Sequence, residues 1–184
     1  HGLAWYPQYV NQEFFTELRE VWGANVVRLA TYSAEEGGYA LETSERAALN
    51  DLVVRGVQYA QAADLYAVVD WHTLSDANPL TNQWAAEEFF RSVSGALGDA
   101  DNVIYEICNE PNGSTSWADI KAYAEAVIPI IRANDPDAVI VVGTPTWSQD
   151  LAAAAADPLP DANVMYALHF YAATHEDDLR HALS

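Results

Sequence analysis

The residues able to do chemistry sit in a few short stretches. Residues 103–113 read VIYEICNEPNG, an apolar, β-branched run that delivers Asn109 and Glu110 just before Pro111. Pro111 has no backbone donor, so a strand must stop there, with an amide and a carboxylate at its end. Asp70-Trp71-His72 and His169-Phe170-Tyr171 close two other apolar runs, Arg28 and Tyr32 lie near the end of another, and Trp5, Tyr6 and Trp147 add flat apolar faces. Two chemistries suit such a set. A metal hydrolase would recruit Asp70, His72, His169 and Glu110, but no His-x-His or His-Glu-x-x-His spacing appears and aromatics outnumber candidate ligands. A glycosidase would use Glu110 as acid/base, Asn109 to bond a sugar hydroxyl and Trp faces as platforms for sugar rings. The aromatic content favours sugar.

Each component also has a plainer reading. Asn, Pro and Gly are ordinary turn residues. His72 or His169 alone could be a satisfied histidine at a loop edge, and Trp5 and Trp147 could be core aromatics. Arg28 inside an apolar strand could neutralise Glu106 or Asp70, because a buried charge needs a partner. Cys108, the single cysteine, has no paired base in its strand and reads as a small core hydrophobe. What weakens the plain readings is position: the candidates all fall at the same end of successive strands.

The elements that must hold them alternate between short apolar runs and longer amphipathic segments. Strands are expected at residues 3–6, 26–30, 66–70, 103–107, 139–142 and 164–169. Between them lie helices from Asn11, as N-cap, to about Trp22, and from near Ser44 with Ala48, Leu52, Ala60 and Ala63 at helical spacing. Further helices carry Phe89, Phe90, Val93 and Leu97, run from Trp117 to Asn134, occupy residues 151–156 and close the chain from about Asp177. Ser116 and Asp119 resemble a capping box, and Pro129 should kink or break the helix that follows. A loop is expected through Trp147. About six β-then-α units imply parallel strands joined by right-handed crossovers. No Gly-x-Gly-x-x-Gly follows a strand, which argues against a dinucleotide-binding sheet. A (β/α)8 barrel is the remaining solution, and it needs eight units over about 250 residues.

Composition bounds the partners. The chain has 184 residues, 51% hydrophobic and 19% charged, which suits one globular domain. Asp and Glu number 27 against 8 Lys and Arg, for a formal net charge of −19, and Lys121 is the only lysine. Such a surface repels nucleic acid and anionic membrane, and it suits an uncharged polymer. It fits either plain solubility or a salty habitat that screens self-repulsion. No apolar run approaches the length needed to cross a bilayer.

Five segments together resemble glycoside hydrolase family 5, in particular bacterial secreted endo-β-1,4-glucanases. They are HGLAWY (1–6), VVDWHTLSD (68–76), VIYEICNEPNG (103–113), GTPTWSQD (143–150) and NVMYALHFYAATH (163–175). The resemblance covers essentially the whole chain. It implies a (β/α)8 barrel of which about the first six βα units are present and the last two missing, so residues 1–184 form one incomplete domain. It implies retaining hydrolysis of β-1,4-glucan, with Glu110 as general acid/base after strand four and Asn109 supporting it and the sugar 2-hydroxyl. His72, His169 and Tyr171 match residues that line the cleft and orient the carboxylates, and Arg28 matches an arginine close to the nucleophile. His1, Trp5, Tyr6, Tyr32 and Trp147 match sugar-contacting positions. No cofactor or metal is implied, and the protein is expected to be extracellular and monomeric when complete. The family's nucleophile is a second Glu at the end of strand seven, whereas this chain ends at Ser184 after strand six. None of Glu35, Glu36, Glu42, Glu106 or Glu176 lies where it could substitute. The 184-residue chain alone is therefore expected to be inactive. Mannan, xyloglucan or mixed-linkage glucan as substrate, or a sugar-binding fragment without catalysis, remain alternatives.

Overall fold

A computed structural model of the protein describes residues 2–171 and 173–174. His1 and the helix expected from Asp177 lie outside the described residues.

Five strands form one parallel sheet in the order β1-β2-β3-β4-β5: β1 (Val26–Tyr32), β2 (Tyr66–His72), β3 (Val103–Glu106), β4 (Val139–Val142) and β5 (Val164–Tyr166). Parallel neighbours need a crossover, and helices supply it: α2 (Arg46–Ala62) joins β1 to β2, α3 (Gln83–Leu97) joins β2 to β3, and α4 (Trp117–Arg132) joins β3 to β4. The short α5 (Pro145–Ser148) and α6 (Leu151–Ala156) separate β4 from β5, and α1 (Gln12–Glu20) precedes β1.

The expected first strand, residues 3–6, is instead a pair of 3-10 turns, Leu3–Trp5 and Pro7–Tyr9. Their amides turn back locally, Trp5 onto the Gly2 carbonyl and Tyr6 onto that of Leu3. An apolar run four residues long does not distinguish a strand from a turn, and Pro7 pre-sets the second one. The described sheet thus has one strand fewer than expected, and Glu110 follows its third strand.

The helices begin and stop for local reasons. Asn11 accepts a hydrogen bond from the Phe14 amide, and Ser116 and Asp119 close the expected capping box. In α2 the buried stripe is Leu49, Leu52, Val53, Gly56, Val57 and Ala60, one position away from the expected Ala48, which faces solvent. Gly56 is where α2 comes closest to the sheet, because a β-carbon there would press on Leu29. Pro129 neither breaks nor ends α4, which runs through to Arg132. The carbonyl that Pro129 leaves unbonded belongs to Glu125, on an exposed turn where water can take it.

The two faces of the sheet differ sharply. Leu29, Ala67, Val69, Tyr105, Ile140 and Val142 point at the helices and are at most 3% exposed. The opposite face carries Arg28, Asp70 and Glu106 at its centre, with Val26, Tyr66 and Met165 exposed at 45, 56 and 58%. That face is uncovered, and both β1 and β5 are unpaired edges among the described residues. A groove of about 480 Å³, lined by Leu3, Tyr6, Phe14 and Arg28 among others, runs along the free side of β1.

Candidate active site

Tyr32, His72, Asn109, Glu110, Trp147, His169 and Tyr171 sit at the C-terminal end of a strand or in the segment that follows, whereas Arg28 projects from the middle of β1 and Trp5 and Tyr6 lie in and just after the 3-10 turn ahead of it. Tyr6 packs on Tyr9 and lines the groove beside β1. On parallel strands those ends share one rim, so residues far apart in sequence meet. The centre of the rim is Arg28. Its Nε and Nη2 donate to the two carboxylate oxygens of Glu106 at 2.7 and 2.9 Å. Nη2 also reaches Asp70 Oδ2 at 3.0 Å and Asn109 Oδ1 at 2.7 Å. The plain reading of Arg28, a counter-charge for Asp70 or Glu106, therefore holds for both acids at once, and the same guanidinium also orients Asn109. Burial works against its charge, but the hydrogen bonds to Glu106 and the negative field of Asp70 outweigh that and raise its pKa. Burial and the nearby Asp70 raise the pKa of Glu106, against the opposing pull of Arg28 and His169.

Asn109 is buried and doubly held, since its amide nitrogen donates to the Thr73 carbonyl at 3.2 Å. Glu110 is anchored differently. Its backbone amide donates to the same Thr73 carbonyl at 3.1 Å, while its side chain stays 19% exposed. Glu110 Oε1 meets His169 Nδ1 at 3.0 Å, and His169 Nε2 faces Glu106 Oε1 at 3.8 Å. One imidazole thus stands between two glutamates from β3 and the loop after it. Glu106, 5% exposed and occupied by Arg28, is a structural acid; Glu110 is the one a ligand can reach.

The other imidazole is fixed by a second acid. His72 Nδ1 lies 2.6 Å from Asp70 Oδ2. The Tyr32 ring packs against His72 at 4.2 Å between centroids, and Trp5 stacks on Tyr32 at 4.9 Å and 23°. The Trp5 indole N–H donates to the Glu36 carbonyl, which fixes the ring plane. Across the rim, Trp147 is 47% exposed and its amide donates to the Pro111 carbonyl. The expected loop here is the short α5, in which Thr146, Trp147 and Ser148 all take positive φ, between 56 and 60°. Tyr171 lies two residues beyond His169 and is 71% exposed. Gly143 makes this packing possible, because a β-carbon there would collide with the carbonyl of Cys108 and crowd Asn109 and Pro111. Cys108 is fully buried and its thiol pKa is raised by burial, as a core residue requires.

Sequence reasoning missed Ser148, whose hydroxyl donates to the Asn109 carbonyl, and the double use of the Thr73 carbonyl. Backbone acceptors and a serine between two functional residues carry no signature in composition or spacing. Among the described residues no group of three or more His, Cys, Asp or Glu side chains is arranged to hold a metal ion. Asp70, His72, His169 and Glu110 are engaged in pairs, with Arg28 between them.

The strand ends of this parallel sheet gather paired carboxylates, imidazoles and exposed indoles on one rim, the end at which (β/α)8 barrels carry their sites. The comparisons agree. The model of the cellulase family, glycosyl hydrolase family 5, matches residues 1–181, and the chain belongs to that family. An endoglucanase of Clostridium saccharobutylicum is 49% identical over 98% of this chain and 40% of its own length. Endoglucanase A of Butyrivibrio fibrisolvens is 46% identical over the whole chain and 42% of its own length. Among solved structures, the catalytic domain of Thermobifida fusca endoglucanase Cel5A, one form of it in complex with cellotetraose, superimposes with a TM-score of 0.92. It is 40% identical and the match covers all of this chain and 61% of that one. The chain thus spans about two fifths of the length of these curated relatives. Its fold is that of a (β/α)8 barrel, and the open sheet face and unpaired edges are the surfaces that a closed barrel covers.

Proposed function

We propose that this chain carries the acid/base half of a retaining endo-β-1,4-glucanase site. The observation that carries the reading is the Glu110–His169 contact of 3.0 Å beside a buried, doubly bonded Asn109, at a rim bordered by exposed indoles. Glu110 protonates the glycosidic oxygen as the bond to the leaving sugar breaks. A second carboxylate, supplied by the rest of the barrel about 5–5.5 Å away, attacks the anomeric carbon. Glu110 then takes a proton from the water that releases the sugar, which restores the starting protonation. Asn109 Nδ2 and Oδ1 are both engaged, so its amide is pre-set to meet the sugar 2-hydroxyl with little reorganisation. His169 and His72 orient the carboxylates, and Tyr171 lines the cleft. Trp5, Tyr32 and Trp147 bind glucose rings by their apolar faces, with Tyr6 and His1 extending the sugar path. The uncharged polymer tolerates a surface of net charge −19. The cellotetraose bound by the Thermobifida fusca domain fits the same ligand class.

The test is Glu110→Gln in the protein carrying its whole barrel. The substitution keeps shape and removes the proton, so hydrolysis of cellulose should fall by about 10²–10⁴. Near-normal hydrolysis would sink the assignment.

A further inference from the structure

Ser148 touches both halves of the Glu110–His169 pair without touching either side chain. Its side chain is fully buried, and its hydroxyl donates to the Asn109 carbonyl at 2.6 Å, immediately before Glu110. The same oxygen accepts the Thr144 amide at 3.2 Å. Its backbone carbonyl accepts the amide of His169 at 2.8 Å. The peptide that positions the acid and the peptide that positions its imidazole partner are therefore joined through one residue.

The backbone around it is unusual in the same way. Thr146, Trp147 and Ser148 have φ of 60, 56 and 58°, the left-handed region that non-glycine residues rarely occupy in succession. For β-branched Thr146 and bulky Trp147 that conformation is costly, and it persists only where the surroundings impose it. Three bonds impose it here: Ser148 Oγ to Asn109, the Trp147 amide to Pro111, and the His169 amide to Ser148. Strain at a rim beside the reacting groups suggests a use for it.

We propose that Ser148 is a positioning residue for acid catalysis: the left-handed turn 146–148 exists to place its hydroxyl and carbonyl so that Glu110 and His169 are held in register. The same turn presents Trp147 to the ligand. This deepens the acid/base reading of Glu110 and rests on it.

The experiment compares kcat/KM on two substrates in the complete enzyme: an unactivated cello-oligosaccharide, and 2,4-dinitrophenyl cellobioside, whose leaving group departs without a proton. Both values report steps through the first bond cleavage. Ser148→Ala should cut kcat/KM on the oligosaccharide roughly ten- to hundredfold, a share of what a positioned acid supplies, and leave the aryl glycoside within about threefold. KM for the oligosaccharide should move little. Ser148→Gly removes the hydroxyl while making positive φ easy, so it guards against a folding failure and should show the same selective loss. An equal fall on both substrates, or no fall on either, overturns the proposal. Glu110→Gln separates the two layers. If it lacks the leaving-group preference, the acid assignment itself fails; if it shows the preference and both Ser148 variants do not, only the role of Ser148 fails.

Discussion

Replacing Arg28 with Met in the complete protein is the sharpest physical test of how the rim is held. The substitution keeps the length of the side chain and removes a charge that serves Glu106, Asp70 and Asn109 together. Asp70 is 0% and Glu106 5% exposed at the side chain, so away from water Asp70 would keep only His72 and Glu106 only the more distant His169, at 3.8 Å. Breaking a buried pair by removing one partner costs about 3–5 kcal/mol. Arg28 is itself 36% exposed, which admits some screening, so the lower end, about 3 kcal/mol, is expected at pH 7. Against a typical total of about 5–15 kcal/mol this is a large loss. Its pH dependence has a definite sign. The pKa of Glu106 is already raised by burial and Asp70, and loss of Arg28 raises it further. A carboxylate whose folded pKa exceeds its unfolded value stabilises the fold below the unfolded value and loses that contribution as pH rises through the folded one. The gap between variant and wild type should therefore widen from pH 4 to pH 7. Urea unfolding at the two pH values measures it. A variant within about 0.5 kcal/mol of wild type at pH 7, or a gap that ignores pH, would refute the reasoning.

Other outcomes follow from the same structure. Ser116→Ala opens the capping box of α4 and should lower stability by about 1 kcal/mol in urea unfolding. The Ser116 bonds also lower the pKa of Asp119, so this contribution is full above the ordinary carboxylate range and fades as pH falls through the lowered value. Trp147→Ala removes an exposed indole face; burying roughly 50–100 Å² of it at about 25 cal/mol per Å² predicts a rise in KM for cello-oligosaccharides of about eight- to seventyfold, with kcat less affected. The 184-residue chain alone should show no turnover of carboxymethylcellulose, and its uncovered sheet face and free edges should make it associate as concentration rises, visible by light scattering. With a net charge of −19, the melting temperature should rise on adding molar salt, and indifference to salt would remove self-repulsion as a factor.

How much of this is visible in the residues depends on whether the cause is local. The strands from Val26, Tyr66, Val103 and Val139 and the caps at Asn11 and Ser116 are local matters, and the sequence states them. So is the stop at Pro111 that leaves Asn109 and Glu110 at a strand end. Residues 3–6 are too short a run to declare themselves, and Pro129 survives in α4 because the carbonyl it frees is exposed. The left-handed turn is invisible beforehand because Thr, Trp and Ser have no leaning toward it; contacts 20 to 40 residues away impose it. The Glu110–His169 pair, 59 residues apart, was legible only as two strand ends and not as a contact. Arg28 shows the limit most clearly. Sequence offers it Glu106 or Asp70 as a partner, and the fold gives it both together with Asn109.

The central claim is that Glu110 is the acid/base of a retaining site, and chemical rescue tests it most directly. Glu110→Ala in the complete enzyme should still form the glycosyl intermediate from 2,4-dinitrophenyl cellobioside, because that leaving group needs no acid, and then stall for want of a base. Azide needs no base and fits the vacated space, so it should restore turnover and yield cellobiosyl azide of the β configuration. Turnover near wild type without azide, or azide that neither accelerates the variant nor appears in a β-linked product, would contradict the account.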